Sequence, residues 1–204
     1  LTGGGGSDLL DGGSGNDAIT AGSGTDTVLG GAGDDTLVNQ GGADSLDGGD
    51  GNDVLTGSDS AETIDGGAGD DLITGGAGND EITGGDGADS FVGDLADLNG
   101  DSIADYDPDA GDLVIANSSF GDDAVTLTYS DGTTTVEIDA NGDGAADATF
   151  SMAGEFHSVS TSTADGKTSV SFSPDVTASA GADSLTGTEG DDTISGLDGD
   201  DTID

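Results

Sequence analysis

Carboxylates are the only abundant reactive side chains in this chain, and their spacing is regular. Asp and Glu together number 44 in 204 residues, against one Lys or Arg, one His and no Cys. Between residues 3 and 92 an acid recurs every ninth residue: Asp8, Asp17, Asp26, Asp35, Asp44, Asp53, Glu62, Asp71, Asp80 and Asp89. Two residues after each stands an apolar side chain: Leu10, Ile19, Val28, Leu37, Leu46, Leu55, Ile64, Ile73, Ile82 and Phe91. Two further segments place oxygen side chains at i, i+2, i+4 and i+8, namely Asp97, Asn99, Asp101 and Asp105, and Asp139, Asn141, Asp143 and Asp147. That spacing can wrap one hard cation in a loop, and Gly144 after the third ligand favours the second copy. Catalysis has little to work with. His157 is the sole candidate general base, and there is no Cys nucleophile, no His-Glu-x-x-His motif and no Arg to stabilise an oxyanion. The expectation is a protein that is not an enzyme.

The formal charge of −43 narrows the function classes further. Gripping a phosphate backbone or an anionic lipid surface needs clustered Lys and Arg, and Lys167 stands alone, so nucleic acid and membrane-surface partners are excluded. No apolar run approaches the ~20 residues of a spanning helix, and no charged-then-apolar leader begins at Leu1, so no membrane insertion or targeting segment is expected. Only 31% of residues are apolar, and high charge with low hydrophobicity ordinarily leaves a chain disordered. The choice lies between an unfolded acidic tract and one that metal folds.

Periodicity decides it. Residues 3 to 92 divide without a gap into units of nine, as in Gly12-Gly13-Ser14-Gly15-Asn16-Asp17-Ala18-Ile19-Thr20. A disordered tract has no reason to hold an acid at the sixth place and an apolar residue at the eighth throughout. Glycines at the first, second and fourth places allow a tight turn whose carbonyls can converge on an ion. The apolar residue then lies on a short strand with its side chain inward. One unit is a turn and a strand, and two units make one 18-residue coil.

These residues resemble the calcium-binding RTX, or haemolysin-type, nonapeptide repeat, Gly-Gly-x-Gly-x-Asp-x-U-x with U apolar. The resemblance implies an all-β fold, a right-handed parallel β-roll with a file of Ca²⁺ along each of its two turn edges. Each ion would lie between turns 18 residues apart, sharing sixth-position carboxylates and turn carbonyls. Carried over, one edge pairs Asp8 with Asp26, Asp26 with Asp44, Asp44 with Glu62, and Glu62 with Asp80. The other pairs Asp17 with Asp35, Asp35 with Asp53, Asp53 with Asp71, and Asp71 with Asp89. Hard oxygen donors, the missing Cys and the single His favour Ca²⁺ over a transition metal, and the number of carbonyls favours it over Mg²⁺. Two units depart from the pattern: Asn39-Gln40 replaces the leading glycine pair, and the unit that begins at Gly57 and has Glu62 at its sixth place lacks Gly at its second and fourth places. The Glu62 sites are the weakest of the set.

The phase breaks after Val92, which divides the chain into a roll over 1–92, a β-rich capping region over 93–177 and further repeats over 178–204. In the second region Asp131-Gly132 and Asp165-Gly166 each sit between β-branched runs and predict hairpins. Phe91 and the segment Asp101 to Val114 resemble the β-rich segment that follows the repeats in secreted RTX proteins. The last region restores the sixth-position acids as Asp183, Asp192 and Asp201, with the pair Asp183 and Asp201 one coil apart. Leu1-Thr2 fill places eight and nine of a preceding unit, so an excerpt of a longer array, or a subunit whose open ends meet neighbours, is expected. With the roll, the final units and the two loops, the load is about 8 to 11 Ca²⁺. The reading is a secreted, cell-surface structural module that folds on calcium and serves in a surface layer, filament or adhesin, with self-association by end-to-end stacking. The alternative is the C-terminal secretion and folding region of a type I-secreted protease, lipase or haemolysin.

Overall fold

The computed structural model describes residues 1–121, 124–156 and 158–173, together with the backbone of four short strands beyond them. Among the described residues every regular element of more than one residue is a β-strand, and no helix is long and apolar enough to cross a membrane. The nine-residue period becomes two facing stacks. One sheet takes β1 (Thr2–Gly5), β3 (Ala18–Ser23), β5 (Thr36–Val38), β7 (Val54–Thr56), β9 (Leu72–Thr74) and β11 (Ser90–Gly93). The other takes β2 (Leu9–Ser14), β4 (Thr27–Ala32), β6 (Ser45–Asp50), β8 (Thr63–Ala68) and β10 (Glu81–Asp86). All these neighbours pair in parallel at an offset of two units, Ile19 beside Leu37 and Val28 beside Leu46.

Alternation along each strand fixes what lies inside. The eighth-position side chain points between the sheets, and Ile19, Val28, Leu37, Leu46, Leu55, Ile64, Ile73, Ile82 and Phe91 are all buried, while the seventh positions face outward. The core is one aliphatic side chain deep per strand. Its backbone is satisfied along the roll axis even through the turns, where Gly15 donates to the Ala32 carbonyl and Thr27 to that of Asp8. Glycine is required where coils touch. Gly31 has φ +111°, and a Cβ there would run into the Gly13 backbone one coil earlier.

The nonapeptide phase ends at Val92, but both parallel ladders cross that point. β12 (Ser102–Ile103) pairs with β10, placing Ile103 beside Ile82, and β13 (Leu113–Ala116) pairs with β11, placing Val114 beside Phe91. The chain therefore winds one more coil with longer turns, in which Asp101 and Asp112 precede the strands as sixth-position acids do elsewhere. Only then do the sheets close. One continues from β12 through β16 (Ala148–Ala153) to β15 (Thr133–Ile138) and β14 (Val125–Ser130). The other continues from β13 to β18 (Lys167–Ser173) and β17 (Ser158–Ala164). The two hairpins form where the Asp-Gly pairs predict them. Asp131 and Gly132 have φ of 54° and 84°, and Asp165 and Gly166 have 53° and 80°, the left-handed values that a tight two-residue turn needs. Under the cap, Tyr106 stacks edge-on against Phe156 and Phe172, and its hydroxyl donates to the Asp112 carbonyl at 2.8 Å. Among the four strands beyond, Ser184–Leu185 pairs in parallel with Thr202–Ile203, again at an offset of 18 residues.

Because a single layer of aliphatic side chains separates the sheets, each one matters. Ile73→Ala in the calcium-loaded protein is expected to lower the unfolding free energy by about 2–5 kcal/mol, read as a fall in urea midpoint with an unchanged slope.

Candidate metal centre

Each turn edge carries a file of sixth-position acids, and the aspartates from Asp26 to Asp89 use their two oxygens differently. One oxygen joins a ladder: the backbone N–H of Asp17 donates to Asp35 Oδ1 at 2.7 Å, that of Asp35 to Asp53 at 2.7 Å and that of Asp53 to Asp71 at 2.8 Å. Asp8, Asp26 and Asp44 repeat the arrangement on the other edge. The second oxygen has no such partner. Oδ2 of Asp8, Asp17, Asp26, Asp35, Asp44, Asp53, Asp71, Asp80 and Asp89 is buried and accepts no hydrogen bond. A buried, unpaired carboxylate oxygen costs several kcal/mol unless a positive charge meets it. The chain has only Lys167 to offer, so the compensating charge must come from solution.

Local backbone shapes the space that such a charge would enter. A Cβ built on Gly30 would press on both Asp35 Oδ2 and the Gly48 carbonyl oxygen, and Gly12, Gly48 and Gly66 stand in the same relation to their own neighbours. First-position glycine thus keeps open a cradle lined by carboxylate and carbonyl oxygen. Among the described residues no three acidic or histidine side chains gather at one point, so a cation here would draw on two carboxylates and main-chain oxygens. Hard, mixed oxygen ligands in a flexible turn fit Ca²⁺. Burial raises the carboxyl pKa of Asp71 to about 7, of Asp89 to about 6 and of Asp101 to about 7, offset in part by the backbone N–H each accepts and reinforced by neighbouring carboxylates.

The two edges are not equal. On the edge of Asp17, Asp35, Asp53, Asp71 and Asp89 the first position is always glycine, and a second ladder runs outside the first. There the Asp34 N–H donates to Asn16 Oδ1, that of Asn52 to Asp34, that of Asp70 to Asn52 and that of Ala88 to Asp70, at 3.0–3.1 Å. On the opposite edge the file is interrupted in the middle. Glu62 accepts from the Ser58 N–H and hydroxyl, both at 2.9 Å, and from the buried Asn39 amide at 3.3 Å. It is the one sixth-position acid between 8 and 89 without an unpartnered buried oxygen. The extra methylene lets its carboxylate fold back onto the Ser58 end of its own turn.

In the cap the structure distributes the first predicted loop instead of closing it. Asp101 Oδ1 accepts from the Asp80 N–H at 3.0 Å, while Asp105 accepts from Gly84 and Gly85 on the opposite edge. Asn99 accepts from Thr149, and Asp97 from Asp94. The cause is β12, which occupies Ser102–Ile103 and carries the chain from one edge to the other, so the four side chains do not surround one point. Asp112, not singled out in the sequence, accepts from the Asp89 N–H at 2.9 Å and from that of Asp107 at 2.8 Å. Its signal was present as acid-x-apolar, Asp112-x-Val114, hidden by a turn of different length. The second loop folds around its own backbone instead: Asp139, Asn141, Asp143 and Asp147 accept seven hydrogen bonds from the six backbone N–H groups of residues 140–145, just before β16, without bringing three acids to one point. Asp183, Asp192, Asp201 and His157 lie outside the described residues.

Comparison with known proteins places the repeat in a family. The family model of the RTX calcium-binding nonapeptide repeat (4 copies) matches residues 2–37, 39–73, 65–97 and 177–204. The chain belongs to this family of calcium-binding repeat proteins. A solved structure similar to it is the solution structure of the AlgE6R3 subunit from the Azotobacter vinelandii mannuronan C5-epimerase, 25% identical, with 69% of this chain and 71% of that chain covered and a TM-score of 0.30. No curated protein matches.

A pH dependence follows from the raised carboxyl values. A group whose pKa is higher folded than unfolded stabilises the fold below its unfolded value, about 4, and that contribution is lost as pH rises through its folded value. The chain stripped of divalent ions is therefore expected to gain β-structure on acidification toward pH 4 and to lose it as pH rises through about 6 to 7. Far-UV circular dichroism of chelator-treated, desalted protein checks this; content that is flat or rises with pH would contradict it.

Proposed function

We propose that this chain is an extracellular structural module whose roll is assembled and stiffened by calcium filling the gaps between successive turns. The observation that carries the reading is the series of buried carboxylate oxygens that accept no hydrogen bond, all at the sixth position of the repeat. At ~5 Å and an effective dielectric near 20, two stacked carboxylates repel by about 3 kcal/mol. Interposed Ca²⁺ reverses that sign, so binding energy becomes folding energy. Extracellular calcium modules work at affinities of ~10⁻⁴ to 10⁻³ M, which couples order to arrival outside the cell. The ligand pairs are Asp8 with Asp26, Asp26 with Asp44 and Glu62 with Asp80 on one edge, and Asp17, Asp35, Asp53, Asp71 and Asp89 in succession on the other. The loop of Asp139, Asn141, Asp143 and Asp147 takes a further ion, and Asp183 with Asp201 a further one again.

The gap between Asp44 and Glu62 is the exception within the roll. There the Asn39 side chain springs from the first position, which is glycine in eight of the ten units and alanine at Ala21, and donates its amide to Glu62 Oε1. An amide takes the place of the ion. Even fully loaded the module keeps a large negative charge, which suits a solvated surface-layer, filament or adhesin element, and association with its own kind would need additional divalent cations to screen it.

Titrating Ca²⁺ into the metal-free chain at neutral pH is expected to raise β-content cooperatively and to shrink the radius of gyration by small-angle scattering. A chain equally compact with and without Ca²⁺ would exclude the reading. Separately, the double variant N39G/E62D is expected to bind one more Ca²⁺ than the parent by equilibrium dialysis with metal analysis, whereas an unchanged count would remove the amide from its assigned role.

A further inference from the structure

The two files of acids do not stop with the repeat. Asp80 and Asp89 are the last sixth-position acids of the regular roll, both almost fully buried, and each still has an Oδ2 that accepts no hydrogen bond. Each sits beside the first-position glycine of its own turn: a Cβ on Gly75 or Gly84 would collide with that oxygen. In the interior of the roll the next coil supplies the facing acid 18 residues on. Here the facing acids come from the irregular coil, 21 residues on at Asp101 and 23 residues on at Asp112. Both carry the ladder contact of the repeat, accepting the N–H of Asp80 and of Asp89, and both are buried, 4% and 3% exposed. The lengthened turns absorb the extra residues while returning each carboxylate to the file. Among the described residues no cationic side chain pairs with these four carboxylates, and Asp112 Oδ2 accepts only the Asp107 N–H.

We propose that each file ends in a closing cation site shared between roll and cap, Asp80 with Asp101 on one edge and Asp89 with Asp112 on the other, each taking one Ca²⁺. The inference rests on the calcium reading of the roll and extends it to ligands outside the repeat. Its consequence is that calcium seats the cap as well as folding the coils. Asp112 is tied to the aromatic cluster under the cap through its carbonyl, which accepts the Tyr106 hydroxyl, and the Phe172 N–H donates to the same hydroxyl oxygen at 3.1 Å. An ion at Asp89 and Asp112 therefore lies close to the Tyr106 ring. The other tyrosine, Tyr129, sits near the turn end of the β14–β15 hairpin, away from the 139–147 loop.

Terbium(III), a hard oxygen-seeking ion of calcium-like size, tests this on the full chain, because its emission is excited through a tyrosine only when one is close. The terbium-loaded wild-type protein is expected to emit on tyrosine excitation, with the signal lost in Y106F and in D112N and kept in Y129F and D139N. For the other edge, D101N keeps an oxygen to accept the Asp80 N–H and is expected to bind one Ca²⁺ fewer than the parent, with the calcium-induced far-UV change retained. Absence of tyrosine-excited emission from the wild type, or emission unaffected by Y106F, overturns the Asp89 and Asp112 site without recourse to an acid variant. An unchanged ion count in D101N overturns the other. Terbium bound in the interior gaps, seen by direct excitation, separates these failures from failure of the calcium reading itself, in which no ion binds at all.

Discussion

Like charge stacked at strand spacing is the constraint on which the rest of this structure depends. Hydrogen bonding alone cannot remove it, because the ladder occupies one oxygen of each carboxylate and leaves the other buried and unpaired. The magnitudes are comparable with what the core supplies. Burying one aliphatic side chain contributes about 1.5–3 kcal/mol, and one stacked carboxylate pair costs about 3 kcal/mol at an effective dielectric near 20. A roll with one inward side chain per strand thus has no hydrophobic surplus with which to hold its turns together against repulsion. On the calcium reading, the sign of the electrostatic contribution decides whether the coil exists, and a cation from solution, Ca²⁺ or at low pH the proton, sets that sign.

The two edges show two ways of meeting this constraint. Where the first-position glycines are unbroken, the backbone closes on itself identically at every coil, and alternating Asn and Asp residues add an outer ladder through Asn16, Asp34, Asn52 and Asp70. Where Asn39 and the Ser58 to Glu62 turn interrupt the series, neutral donors surround the carboxylate: a serine N–H, its hydroxyl and an asparagine amide. Donation from the protein's own groups is weaker per contact than a divalent ion but requires none in solution. On the calcium reading one edge depends on metal at every gap, and the other has a waist whose hydrogen bonds need no metal.

Much of the roll was legible in the sequence because period, acid and apolar position all follow from one short physical unit. The inward set from Ile19 to Phe91, the coil offset and both Asp-Gly hairpins stand in the structure as the pattern requires. The continuation past Val92 was not legible, because a period search measures chain length whereas the ladder measures space. Longer turns leave the strand register of Ile82 with Ile103 intact while destroying the nine-residue count. For the same reason the spacing of Asp97, Asn99, Asp101 and Asp105 suggested a loop: oxygen side chains two apart fit a wrapped cation, and they equally fit a chain that crosses a sheet and leaves one acid at either edge. Asn39 departs from the repeat in the sequence, but its reach to Glu62 is a packing fact that no local spacing encodes.

Comparing the interruption at Glu62 with the extra coil shows which feature of the repeat is the more fundamental. At residues 57–62 the turn keeps its length of six but loses its glycines at places two and four, and the acid then turns inward onto its own backbone. At residues 93–112 the turns lose both their length and their glycine pattern, and yet Asp101 and Asp112 still accept the ladder N–H of the preceding coil. Glycine and turn length can therefore vary while the file continues, whereas at the one glutamate the file is interrupted, its longer carboxylate being held by Ser58 and Asn39 rather than by the N–H of Asp44. The roll is, on this argument, a stack of aspartates first and a stack of glycine turns second, and its cap is attached by extending the first of these and abandoning the other.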